Sequence, residues 1–120
     1  MYYYMGIAQY KLGNKNAAKE LFEKSLKIAP YHLGVLMNYM IVLGEMRDLD
    51  AAYKIMQTIS SIYPKMSKPK IDMSKFFIQV GLYSKAKMIL LNMRTNKLDD
   101  KNGTAQKLLN LVNTQLETVN

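Results

Sequence analysis

Ala18, Ala52 and Ala86 stand 34 residues apart, and Pro30 and Pro64 keep the same interval. Gly13 and Gly81 are separated by two such intervals. A fixed period in this range marks stacked structural repeats, because one short unit cannot bury its own apolar face and needs a neighbour to cover it. This constrains the chain more than its composition does. Of the 120 residues 49% are apolar, which suffices for a continuous core.

The periodicity inside each interval is helical. Tyr2, Met5, Gly6 and Gln9 fall at i, i+3, i+4 and i+7, one face of a helix. Leu12, Gly13 and Asn14 supply a turn, with Gly13 suited to φ > 0 at a helix C-terminus. A second stripe follows in Ala18, Leu21, Phe22, Ser25 and Leu26. Glu20 and Glu23 precede Lys24 and Lys27 by four, the favourable order for pairing along a helix. Pro30 ends the block. The second block repeats the plan, with stripes Leu36, Tyr39, Met40, Leu43 and Ala52, Ile55, Met56, Ile59 joined by a turn at Arg47 and Asp48. In the third, Lys65 to Lys70 reads as a basic linker and Pro69 as the opening of a helix. Ile71, Ser74, Phe77 and Ile78 carry its first stripe, Gly81 its turn, and Ala86, Ile89, Leu90 and Met93 its second. Asp99 to Gly103 is a loop. Thr104 to Val119 is a last helix with Leu108, Leu109, Val112 and Leu116 on one side and polar residues on the other, as the end of a stacked array requires.

These residues resemble the tetratricopeptide repeat, whose signature has an aromatic, Leu-Gly and Tyr on the first helix and Ala, an aromatic and Pro on the second. The first block supplies Tyr2, Met5, Gly6, Ala18, Phe22 and Pro30, with Gln9 in the second aromatic position. The second keeps Leu36, Tyr39, Ala52, Met56 and Pro64 but has Met40 where a small residue is usual. The third keeps Gly81, Tyr83 and Ala86. The resemblance implies an all-α fold: a right-handed α-solenoid of antiparallel helix pairs, about seven helices. It makes residues 1–120 a single domain, with repeats at about 1–30, 31–64 and 65–98 and a capping helix at about 104–118. Gly6 and Ala18 are expected where paired helices approach, with Tyr2 and Phe22 filling the space between. Because no capping residue precedes Tyr2, a piece of a longer array is expected in preference to an edge covered by another subunit.

The resemblance further implies that the first helix of each pair lines a concave groove. By helical phase the groove residues are Tyr3, Ile7, Tyr10 and Lys11, then Met37, Asn38, Ile41 and Glu45, then Lys68, Ile71, Lys75, Ile78 and Gln79. Tyrosine offers contact area at low entropic cost, and methionine adapts to varied shapes. The expected ligand is a protein or peptide, apolar or mildly acidic, and the expected role a non-catalytic interaction scaffold or adaptor. A chaperone-binding subclass grips C-terminal carboxylates with two Asn and three basic residues. At those places this chain has Tyr3, Ile7, Asn38, Lys68 and Asp72. Only Asn38 and Lys68 agree, so that partner is rejected.

Other chemistry finds little support. Cysteine is absent, which removes disulfides and thiolate metal sites. The single histidine, His32, falls in a turn with no second ligand near it in sequence. No glycine-rich phosphate loop occurs. Asp99 to Gly103 fails as a calcium loop, because its first and last ligand positions would be Leu98 and Leu109. Asn102-Gly103-Thr104 matches a glycosylation acceptor, a triplet that chance often supplies. No catalytic, cofactor or metal site is therefore expected. The longest uncharged run, Tyr31 to Gly44, is too short to span a bilayer, so no transmembrane segment is expected. No address is legible; a cytoplasmic location is slightly favoured.

Two alternatives stay open. Lys plus Arg number 17 against 9 Asp plus Glu, a formal charge of +8. Gly81 to Ala86, followed by Met93 and Asp99, looks like the pentatricopeptide repeat, which implies RNA binding with Lys65, Lys68, Lys70, Lys75, Lys85 and Lys87 on phosphates. The period of 34 rather than 35 weighs against it, so nucleic acid is the lesser expectation. Homo-oligomerisation through the N-terminal edge is the other.

Overall fold

The computed structural model describes residues 1–119. Among these it contains seven helices and no strand: α1 (Tyr2–Lys11), α2 (Lys15–Ile28), α3 (Leu33–Glu45), α4 (Leu49–Ile62), α5 (Lys68–Gln79), α6 (Tyr83–Thr95) and α7 (Thr104–Val119). The fold class is all-α helical repeat. α1 pairs with α2, α3 with α4 and α5 with α6, while α2 also packs on α3 and α7 on α6 and α5. No helix among the described residues is long and apolar enough to cross a membrane. The chain divides into two compact units, Met1–Ile62 and Tyr63–Asn120.

Turn chemistry sets the helix lengths. Gly13, Arg47, Gly81 and Lys97 all adopt the left-handed conformation, with φ of 86°, 67°, 79° and 55°. Each donates its N–H back three residues, and the next residue donates back five: Asn14 to Gln9 O at 2.9 Å, Asp48 to Leu43 O at 2.9 Å, Leu82 to Phe77 O at 2.8 Å and Leu98 to Met93 O at 2.9 Å. These double bonds satisfy carbonyls that a helix end would otherwise leave open. Pro69 lies in the first turn of α5, where its missing N–H costs nothing.

The three alanines of the 34-residue interval are fully buried. In unit 1, Ala18 forms a core cluster with Phe22, Val35 and Val42, and Tyr3, Ile7, Tyr10 and Tyr39 pack against it. Gly6 is needed for the approach of α1 to α2, since a Cβ there would lie 2.6 Å from the Phe22 ring. Tyr2 does not fill that space. It remains 37% exposed, with the Lys24 Nζ 5.8 Å above its ring. Met5 is 47% exposed, so the first stripe of α1 is only partly core. In unit 2 the core is Met73, Phe76, Phe77, Ala86, Leu90 and Met93, closed by Ala105, Leu109 and Val112 of α7.

Candidate functional site

The thirteen residues assigned to the groove fall eight in unit 1 and five in unit 2. None is buried. They are side chains that the helix pairs leave open.

In unit 1 they are held in place from below. Tyr3 lies across the backbone of Gly34, where a Cβ would come within 2.6 Å of its hydroxyl, and its ring is 5.1 Å from that of His32. His32 is a surface residue, as expected, but it also holds a helix end in place. Its Nδ1 accepts the Val35 N–H at 3.2 Å and caps α3. Asn38 Nδ2 donates to the Gly34 carbonyl at 2.7 Å. Ile7 and Tyr10 rest on the core cluster. Tyr10 Oη donates to Glu45 Oε2 at 2.6 Å, linking α1 to α3, and Lys15 Nζ stands 3.7 Å from the other Glu45 oxygen. The bond to Glu45, then burial, then the charge of Glu45 push the Tyr10 phenol up to about 12. Glu45 is thereby engaged on both oxygens. Met37, Ile41 and Ile7 present half-exposed apolar surface beside this polar link, and Lys11 is exposed at the end of α1.

In unit 2, Lys68, Ile71 and Lys75 line a cleft of about 590 Å³. Its other wall is made by Lys65, Met66 and Ser67 before α5, by Asp99, Asp100, Lys101 and Asn102 before α7, and by Thr104 at the start of α7. Ser67 Oγ donates to the Asp99 carbonyl at 2.5 Å and joins the two loops. Lys68 pairs with Asp72 at 3.1 Å, one turn along α5. The two Asp100 oxygens accept the Ala105 and Gln106 N–H groups at 2.9 and 3.1 Å, which caps α7. Lys65, Lys68, Lys75 and Lys101 line the cleft beside Asp72, Asp99 and Asp100, a small excess of positive charge. Ile78 and Gln79 lie further along α5 and do not line it.

Sequence reasoning missed Lys65, Lys101 and Asp99 as cleft residues. Both segments were visible as loops, but their meeting, through the Ser67–Asp99 bond, was not. It also misjudged Lys70. This lysine is a helix residue, 8% exposed, with Nζ donating to Asn92 Oδ1 at 2.7 Å. Burial lowers its pKa. It is therefore not a surface phosphate contact, which removes one of the six lysines from the RNA reading. Among the described residues no three His, Asp or Glu side chains cluster so as to hold a metal ion.

Comparison with known proteins agrees with this architecture. The family described as tetratricopeptide repeat matches residues 1–32, which hold α1, α2 and the cap of α3. Solved structures share the fold along nearly the whole chain. "MamA MSR-1 C2" superposes with a TM-score of 0.74 at 18% identity, covering 98% of this chain. "MamA 41-end from Desulfovibrio magneticus RS-1" gives 0.67 at 19% identity, again over 98% of this chain and over 75% of that one. The present chain spans 66% of the length of the first. No curated protein matches the sequence significantly.

Proposed function

We propose, from its similarity to the tetratricopeptide repeat over residues 1–32 and from its helical-repeat fold, that this chain is a non-catalytic scaffold that holds a protein partner. The partner docks an apolar or mildly acidic peptide or helix on the first helices of the pairs. The observation that supports this reading is the pattern of exposure. Tyr3, Ile7, Met37, Ile41 and Ile71 stay half-exposed, while Gly6 of α1, Leu36, Met40 and Leu43 of α3 and Met73, Ser74 and Phe77 of α5 are buried. Apolar and aromatic groups held half-open on rigid helices gain contact area without an ordering cost. In unit 1 the charge of Glu45 is offset by the Tyr10 hydroxyl that donates to it and by Lys15 beside it.

The test is peptide-display panning against the full chain. The selected peptide is then titrated into a Tyr3→Asp/Ile41→Asp variant and a Lys75→Glu variant, each checked for native helicity by circular dichroism. Binding is expected to fall about tenfold in the variant of the unit that the peptide occupies. Unchanged affinity in both folded variants would sink the reading.

A further inference from the structure

Unit 2 holds a second cavity, between α6 and α7, which shares only Asp100 with the cleft above. Its floor is apolar. Leu90, Met93 and Leu109 are 2%, 2% and 3% exposed, and the small side chain of Ala105 leaves the space open. The volume is about 240 Å³. An apolar cavity of about 150 Å³ takes up benzene, so this one has room for a phenyl or isobutyl group.

The rim is polar and positively charged. Arg94 and Lys97 stand on it beside Gln106 and Asp100. Arg94 Nη2 donates to Gln106 Oε1 at 2.7 Å. Asp100 is committed to the first turn of α7 through its two backbone hydrogen bonds, where the positive end of the helix takes up its charge. The two cations are thus the charges that a ligand meets. The rim is also preformed. Lys97, at φ 55°, is locked by its N–H to Arg94 O at 3.1 Å and by the Leu98 N–H to Met93 O at 2.9 Å. The long-range field has the same sign, since unit 2 carries ten of the 17 basic residues and four of the 9 acidic ones.

We infer that this pocket seats one apolar side chain of a peptide partner, phenylalanine or leucine, with acidic residues on either side of it. The apolar group enters against Met93, Leu98 and Leu109, where the flexible thioether of Met93 adjusts to its shape. The flanking carboxylates meet Arg94 and Lys97.

The probe is the blocked peptide acetyl-Asp-Phe-Glu-Asp-amide, titrated into the ¹⁵N-labelled full chain at low salt. Binding is expected in the sub-millimolar range, ~0.1–1 mM, with shifts centred on the amides of Met93, Leu98 and Ala105. A control peptide with alanine in place of phenylalanine is expected to bind at least about fivefold more weakly. Lys97→Gly removes a rim charge and relieves the left-handed backbone, so it keeps the fold. Combined with Arg94→Gln it is expected to weaken binding roughly fivefold. Equal binding of the alanine peptide, unchanged affinity in the double variant, or no binding at all would overturn the inference. Shifts confined to Ile71 and Lys75 would overturn it too, and would support the α5 cleft as the peptide site instead.

Discussion

Unit 1 and unit 2 build the same helix-pair register from different atoms. At the closest approach in unit 1, Gly6 contributes no side chain and the Phe22 ring takes the space. One interval later Met40 and Met56 hold these places, and in unit 2 they are Ser74 and Leu90. All six are buried. A ring goes with no side chain, a leucine with a hydroxymethyl group, and a methionine with another methionine. What repeats is burial: each pair is closed from solvent by the side chains that its own surroundings accommodate, because a close-packed interior leaves no void.

A second register position differs in polarity. Tyr2 in unit 1 lies under the Lys24 ammonium. The same place in unit 2 is Lys70, buried and bonded to Asn92. Between them Leu36 is plain core. In unit 1 the cation stays in solvent above an aromatic face, whereas in unit 2 it has been drawn inside. The lesson is that the repeat specifies a geometry, and that each unit meets it with its own chemistry and its own stability.

The sharpest way to break this comparison is Gly6→Val. The new side chain would meet a fully buried ring that cannot retreat, and about 3 kcal/mol of stability should be lost in denaturant unfolding. Adding Phe22→Leu, which copies the unit 2 solution, should restore part of it. A sum of independent losses instead would show that the two positions do not trade volume.

Lys70→Leu, which copies Leu36, should stabilise the chain by about 2 kcal/mol at neutral pH by removing a buried cation with a single neutral acceptor. Burial lowers the Lys70 pKa below its unfolded value, so the unfolded state holds more protons in the window between the two values. Wild-type stability therefore rises with pH through that window, and the advantage of the leucine variant should shrink there. A constant difference from neutral to alkaline pH would contradict this.

Tyr10→Phe tests the polar link peculiar to unit 1. Loss of a hydrogen bond to a carboxylate should cost about 1.5 kcal/mol at pH 7. The folded Tyr10 pKa of about 12 lies above the ordinary 10. The Tyr10 contribution is thus complete below pH 10 and is lost as pH rises towards 12. Absorbance titration of the phenols should show one high-pH group fewer in the variant.

The smallest effect is expected at the turns. Arg47 adopts the same left-handed backbone that glycine supplies at Gly13 and Gly81, at a cost of about 1 kcal/mol. Arg47→Gly should raise the midpoint of thermal unfolding slightly, partly offset by loss of the Arg47 Nη1 bond to the Gly44 carbonyl. Gly13→Arg should lower it.

Much of this was legible in the chain. The interval of 34 located the buried alanines and the left-handed Gly13 and Gly81, while the first-turn preference of proline placed Pro69 and an apolar stripe gave the extent of α7, because helical phase and turn chemistry are local properties of the backbone. Of the thirteen residues assigned to a groove, helical phase told only that they stay off the core. Illegible were the half-exposure of Tyr2 and Met5, the burial of Lys70, and the meeting of the loops at Ser67 and Asp99. Each depends on which other helix or loop covers the residue, and periodicity carries no information about that.

By itself the sequence determined a register: where helices start and stop, which face of each is apolar, and which positions must be small. Only the tertiary structure decided which of those faces were closed, which lysine was drawn inside, and that α6 and α7 leave a basic-rimmed pocket between them. The physical reason is that helix formation answers to neighbours along the chain, whereas burial and charge pairing answer to neighbours in space.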